Sequence, residues 1–249
     1  MRGYGNGVNL VGGPARIHCL TLTLHEYIYM NIADIKFPPV LFITGVGTDV
    51  GKSIATGWLA REMAAAGMKV LTQKMIQTGN KEWSEDILRH REIMGIELTE
   101  EDKQHLTAPV IYSYPCSPHL AAAIDERPLD IELIDKATAE LASRYPHLLV
   151  EGAGGLMVPL TPDFLTADFL HTRQLPTVVV INGQLGAINH ALLTLHAVKT
   201  YDIPLFGVIY NPFFDKDPII SEDTRGYLQQ WLRINFPDAV WIDMPDENI

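Results

Sequence analysis

The chain has 249 residues, with 30 acidic side chains against 19 Lys and Arg and a formal net charge of −11. Apolar residues make up 47% and charged residues 20%, a globular balance that excludes wholesale disorder. The acidity excludes a general nucleic-acid binder, because neutralising a phosphate backbone takes an excess of Lys and Arg. A local positive site for one nucleotide stays open.

Residues 1–38 start Gly-rich, continue without periodicity and end at Pro38 beside Pro39. They are read as a peripheral extension, either disordered or preceding a later start such as Met30, ahead of one domain over 39–249. Residues 1–20 break on Gly12, Gly13 and Pro14 before a signal-peptide core develops. No stretch approaches the about 20 apolar residues of a membrane helix. Cys19 and Cys116 lack ligand-like spacing and read as unpaired thiols, with one long-range disulfide as the alternative. The expectation is a cytoplasmic protein with no membrane and no nucleic-acid partner.

From residue 40 the pattern turns regular. The short apolar run 40–44 predicts a buried strand, a Gly-rich turn follows, and 53–66 has helical spacing with Gly67 as its stop. Further strands are expected at 69–74, 148–150, 177–181, 205–210 and 240–242. Helices are expected at 84–94, 131–143, 186–200 and 222–234. Strands alternating with helices predict an α/β fold, a mostly parallel sheet with helices on both faces in a three-layer sandwich.

Between the first strand and helix lies Gly45-Val46-Gly47-Thr48-Asp49-Val50-Gly51-Lys52-Ser53. Glycines let backbone N–H groups converge on a phosphate, and a helix N-terminus adds partial positive charge. Lys52 would reach the β- and γ-phosphates, and the Ser53 hydroxyl would ligate Mg²⁺. Five residues separate Gly45 from Gly51, one more than the generic motif allows. Glu151, ending an apolar strand before Gly152, Gly154 and Gly155, sits where open α/β sheets bind ligands and could hold Mg²⁺. Spacing alone leaves Lys74 a solvated strand-end lysine or a second charge on a transferring phosphoryl group. Asp86 could be a Mg²⁺ ligand, but local sequence favours a helix-start acid interacting with the helix dipole.

Taken together, and in order, these pieces resemble the dethiobiotin synthetase family, of the P-loop NTPase superfamily, across residues 40–245. They are the long phosphate loop, Lys74 with Gln77-Thr78-Gly79, Ser117-Pro118-His119-Leu120-Ala121-Ala122, Val150-Glu151-Gly152-Ala153-Gly154-Gly155 and Leu185-Gly186-Ala187-Ile188-Asn189-His190. The resemblance implies a ligase that converts 7,8-diaminononanoate, CO₂ (or bicarbonate) and MgATP into dethiobiotin, ADP and phosphate. It does so through a carbamate and a carbamic–phosphoric mixed anhydride. By the same resemblance Lys52, Lys74 and Thr48 carry the catalytic work, and Ser53, Asp86 and Glu151 hold Mg²⁺. ATP is held by Gly45, Gly47, Thr48, Asp49, Val50, Gly51, Lys52, Ser53 and Glu151, with Asn211, Pro212 and Pro245 around the adenine. The diamine is met by Thr78, Lys74 and Gly154, and its carboxylate tail by Gly186, Ala187, Ile188 and Asn189 across a homodimer interface.

The chain departs from the family pattern where Gly47 replaces an acid, Ser53 a Thr and Met75 a Pro. Asp49 is the nearest carboxylate that could compensate. His119 is weighed as a base and as a packing residue. The competing readings are a partition or septum-positioning switch ATPase of the same superfamily, an amidoligase of the cobyrinate type, and a family member without activity. The first of these carries an extra loop lysine, where this chain has Val46 and Gly47.

Overall fold

The computed structural model describes residues 31–245. β1 (Val40–Gly45) runs into the glycine loop, and α1 (Lys52–Ala65) leads to β2 (Val70–Lys74). The short β3 (Gln77–Thr78) precedes α2 (Glu85–Met94), the single turn α3 (Glu100–Lys103) and the short β4 (Ile111–Tyr112). Then come α4 (Pro118–Ile124), α5 (Ile131–Arg144) and β5 (His147–Glu151). The hairpin β6 (Pro159–Thr161) and β7 (Phe164–Leu165) leads into α6 (Thr166–Arg173) and β8 (Thr177–Asn182). The chain ends through α7 (Ala187–Thr200), β9 (Leu205–Asn211), α8 (Pro218–Asn235) and β10 (Val240–Asp243).

Six strands form one sheet in the order β10-β9-β8-β1-β5-β2, every pair parallel. The central strands are apolar almost throughout because both faces are covered. Alternate residues serve opposite faces. Phe42, Leu148, Val150, Val179 and Val208 enter one core cluster, while Leu41, Ile43, Leu149, Val178 and Ile209 enter the other. This is the expected fold class, and all six expected strands are present. Among the described residues no helix is long and apolar enough to cross a membrane.

Some boundaries moved. Ile35 and Phe37, inside the segment read as an extension, are buried in the second cluster, so the packed domain begins before residue 39. The rest of that segment, with Met30 and Cys19, lies outside the described residues. α8 starts at Pro218 rather than 222, because the Asp217 side chain accepts from the Ile219 and Ile220 N–H groups and Pro218 needs no partner for a missing donor. α3, α4, α6 and the two-stranded pairs were not expected. They are short: α3 is a single turn closed by a Thr99–Asp102 capping box, and α4 and α6 contact the short strand pairs.

The topology fixes the site. β5 inserts between β1 and β2, and β8 lies on the other side of β1, so the connection after β1 runs to one side of it and the connection after β5 crosses to the other. The crevice at the carboxyl ends of strands flanking such a switch point is where open α/β sheets take ligands.

Candidate active site

Gly51 is the N-cap of α1, with φ at +91°, a left-handed conformation that glycine adopts without strain. A Cβ there would lie 2.2 Å from Asn211 Nδ2. That amide donates to the Val50 carbonyl (3.0 Å), while Asn211 Oδ1 accepts from Phe213 N (3.1 Å). The end of β9 thus holds the loop before α1. Lys52, almost fully buried, donates from Nζ to the Gly47 carbonyl at 2.7 Å. Burial first, then the positive charge of Lys74, keep its pKa below the ordinary lysine value. Close packing makes glycine necessary at Gly45, where a Cβ would meet Val50 Cγ1 at 2.5 Å, and a Cβ on Gly155 would meet the Gly45 carbonyl at 3.2 Å; at Gly47 a Cβ would meet nothing within 4 Å.

Next to the loop, residues from four elements converge. Ser53 Oγ lies 2.8 Å from Asp86 Oδ1 and 2.9 Å from Glu151 Oε1, and its single proton is shared between the two carboxylates. Lys74 Nζ lies 2.7 Å from both Asp86 Oδ2 and Glu151 Oε1 and donates to the Gly152 carbonyl at 3.1 Å. Burial opposes the Lys74 charge, but Glu151 and Asp86 outweigh it and hold its pKa above the ordinary value. Burial likewise opposes the Glu151 carboxylate; the Lys74 ammonium and the His90 hydrogen bond override it and push the pKa far below the carboxylate range. Lys74 and Asp86, each ambiguous from local sequence, are therefore parts of one cluster. Two carboxylates and a hydroxyl around a cationic group are hard oxygen donors and fit a divalent cation such as Mg²⁺.

These residues stand at one end of a cavity of about 930 Å³. Thr48, Asp49, Gly51, Lys52 and Ser53 line its phosphate-loop side, and Lys74, Thr78, Asp86, Glu151 and Gly154 line the sheet side. Asn211, beside the loop, and Phe213, Phe214, Met244 and Pro245 complete the lining, and Pro212 is buried next to them. Gly186, Ala187, Ile188 and Asn189 form the N-terminal turn of α7 and are not among the lining residues. His119 is also outside the lining, its Nδ1 buried with no hydrogen-bond partner.

Ser117 and Pro118, from the motif read in the sequence, line the cavity, and so does Cys116, read there only as a thiol. Pro115, Phe213 and Phe214 also line it and escaped sequence reading. His90, fully buried, contacts Glu151 Oε2 at 2.7 Å. Its signal was its position four residues after Asp86, on the same face of α2.

A family model described as an AAA domain matches residues 40–235. A protein of Pasteurella multocida (strain Pm70) named ATP-dependent dethiobiotin synthetase BioD 2 is 46% identical over 202 residues, covering 81% of this chain and 95% of its own. A Haemophilus influenzae protein of the same name (strain ATCC 51907 / DSM 11121 / KW20 / Rd) is 48% identical over 181 residues, covering 73% and 95%. The ATP-dependent dethiobiotin synthetase BioD of Chlorobaculum tepidum (strain ATCC 49652 / DSM 12025 / NBRC 103806 / TLS) is 42% identical over 206 residues, covering 82% and 86%. Identity of 42–48% over most of each relative, together with a parallel sheet that presents a glycine loop at its switch point, has one reading: the chain belongs to the dethiobiotin synthetase family of P-loop domains.

Proposed function

We propose that the chain is an ATP-dependent ligase that closes a ureido ring, converting 7,8-diaminononanoate and CO₂ into dethiobiotin with release of ADP and phosphate. The observation that carries this reading is the meeting of Lys52, Lys74 and the Ser53–Asp86–Glu151 cluster at one end of a single cavity. Its volume of about 930 Å³ leaves room for a nucleotide and a second small substrate together.

One amine of the diamine adds to CO₂ to give a carbamate, and a carbamate oxygen takes the γ-phosphoryl group of ATP as ADP leaves. The second amine then attacks the carbamoyl carbon and expels phosphate, closing the ring. Phosphoryl transfer asks a protein mainly for positioning and charge neutralisation. Lys52 and Thr48 hold the phosphates, Lys74 faces the carbamate, and Thr78 and Gly154 orient the diamine. Gly45, Gly47, Asp49, Val50 and Gly51 cradle the phosphate chain, and Asn211, Pro212 and Pro245 bound the adenine. Ser53, Asp86 and Glu151 would hold Mg²⁺, which supplies neutralising charge on the β- and γ-phosphates when bound.

The tail of the diamine is assigned to Gly186, Ala187, Ile188 and Asn189 of a second copy, in a homodimer. Gly186 and Asn189 are exposed, and Leu185 and Leu193 beside them are 86% and 62% exposed, an apolar edge that a second copy would cover. The cytoplasm is the assigned compartment.

The test is purified protein with MgATP and bicarbonate, with and without the diamine, following phosphate and product mass. Diamine-dependent phosphate release together with the dethiobiotin mass is expected. Phosphate release indifferent to the diamine, or no product mass, overturns the proposal.

A further inference from the structure

His90 touches the carboxylate cluster from behind, shielded from solvent by α1. The helices approach closely there because residue 57 is glycine: a Cβ would lie 3.1 Å from Ile93 and 3.3 Å from the His90 Cα. His90 Nε2 is 2.7 Å from Glu151 Oε2, and Nδ1 is 3.0 Å from Thr72 Oγ1. Arg91 Nη1 donates to the same Thr72 oxygen at 2.6 Å. Asp102 anchors that guanidinium with two 2.8 Å hydrogen bonds and is itself held by the Thr107 hydroxyl at 2.6 Å.

A guanidinium only donates. The Thr72 oxygen therefore accepts from Arg91, and with a neutral His90 ring its own proton goes to Nδ1. That leaves the ring proton on Nε2, aimed at Glu151 Oε2. The other carboxylate oxygen, Oε1, meets Ser53 Oγ at 2.9 Å and Lys74 Nζ at 2.7 Å. The terminal torsion of a glutamate is broad, so its carboxylate plane is set by its partners rather than by the side chain itself.

We propose that His90 is a positioning residue: it fixes the plane of the Glu151 carboxylate so that Oε1 stays turned toward Ser53, and it thereby sets how tightly the cluster takes a divalent cation. The proposal rests on the reading that Ser53, Asp86 and Glu151 are the cation ligands. Partners behind a ligand commonly change metal affinity about 10–100-fold when removed.

The experiment is Mn²⁺ binding by electron paramagnetic resonance to the full chain with a non-hydrolysable ATP analogue, for wild type, His90→Leu and His90→Gln. Leucine fills the space without a donor, whereas glutamine keeps an N–H within reach of Glu151. His90→Leu is expected to weaken Mn²⁺ binding about 10–100-fold, and His90→Gln to stay within about threefold of wild type. Wild-type affinity in His90→Leu, or equal losses in both variants, overturns the positioning role alone. A wild-type protein that binds no Mn²⁺ overturns the cation reading and this proposal with it. Nitrogen-15 NMR of the wild type adds a readout free of any variant: the proton should sit on His90 Nε2, and a proton on Nδ1 overturns the assignment.

Discussion

Lys52 and Lys74 are both buried at the same end of the cavity, but their surroundings differ. Lys74 is clasped by two carboxylates, whereas the nearest hydrogen-bond partner of Lys52 is the Gly47 carbonyl. Their loss should separate chemistry from stability. Lys52→Ala and Lys74→Ala are each predicted to lower kcat/KM at least about tenfold, or ~1.4 kcal/mol of transition-state stabilisation. Only Lys74→Ala should also cost about 3–5 kcal/mol of folding stability, because it strands Glu151 as an uncompensated buried charge. Turnover and urea unfolding of both variants check this; near-wild-type turnover in either would refute its role, and equal unfolding would refute the contrast. The bare sequence could not rank Lys74 above a solvated strand-end lysine, since its partners lie 12 and 77 positions away in the chain.

At the scale of elements, the phosphate loop depends on a strand that follows it by some 160 residues. Asn211, at the end of β9, ties down the Val50 carbonyl. Gly51→Ala would place a methyl group onto that amide and force alanine into the left-handed region, at about 1–2 kcal/mol for the backbone alone. The prediction is at least about tenfold weaker ATP binding in Gly51→Ala, and a Gly51→Ala/Asn211→Ala double variant no weaker than Gly51→Ala, because the clash and the tie share one atom. Calorimetric titration with an ATP analogue measures it; strictly additive losses would refute the shared contact. The loop itself was legible as a motif because its glycines, Lys52 and Ser53 are contiguous. Asn211 entered only through the family resemblance, and the Phe213–Phe214 wall not at all, because neither carries a local pattern.

Across the whole molecule, the network behind the site predicts a pH response. Burial alone would raise the Asp102 pKa, but the hydrogen bonds and charge of Arg91 outweigh it and hold it below the ordinary 3.8. A depressed carboxylate contributes stability that is present above its unfolded pKa and lost as pH falls through the folded one. Asp102→Asn should therefore destabilise the protein by about 3–5 kcal/mol at pH 7, by stranding Arg91, and the gap should narrow only below about pH 4. Urea unfolding at pH 7 and pH 3.5 tests the sign; a gap that widens in acid would refute it. The net charge of −11 is unevenly spread at this scale: residues 39–80, with the loop and Lys74, hold four basic and two acidic side chains. The sequence by itself determined the layered parallel sheet, its six strands and the phosphate loop, because those depend on contiguous apolar runs and glycine spacing. It also determined the family, through motifs read in order. Only the tertiary structure decided that Lys74, Asp86 and Glu151 form one cluster, that Ile35 and Phe37 belong to the core, and that His90 backs the Glu151 carboxylate. Each of these is a contact between distant parts of the chain, and a parallel sheet whose strand order differs from chain order brings such parts together without leaving a local trace.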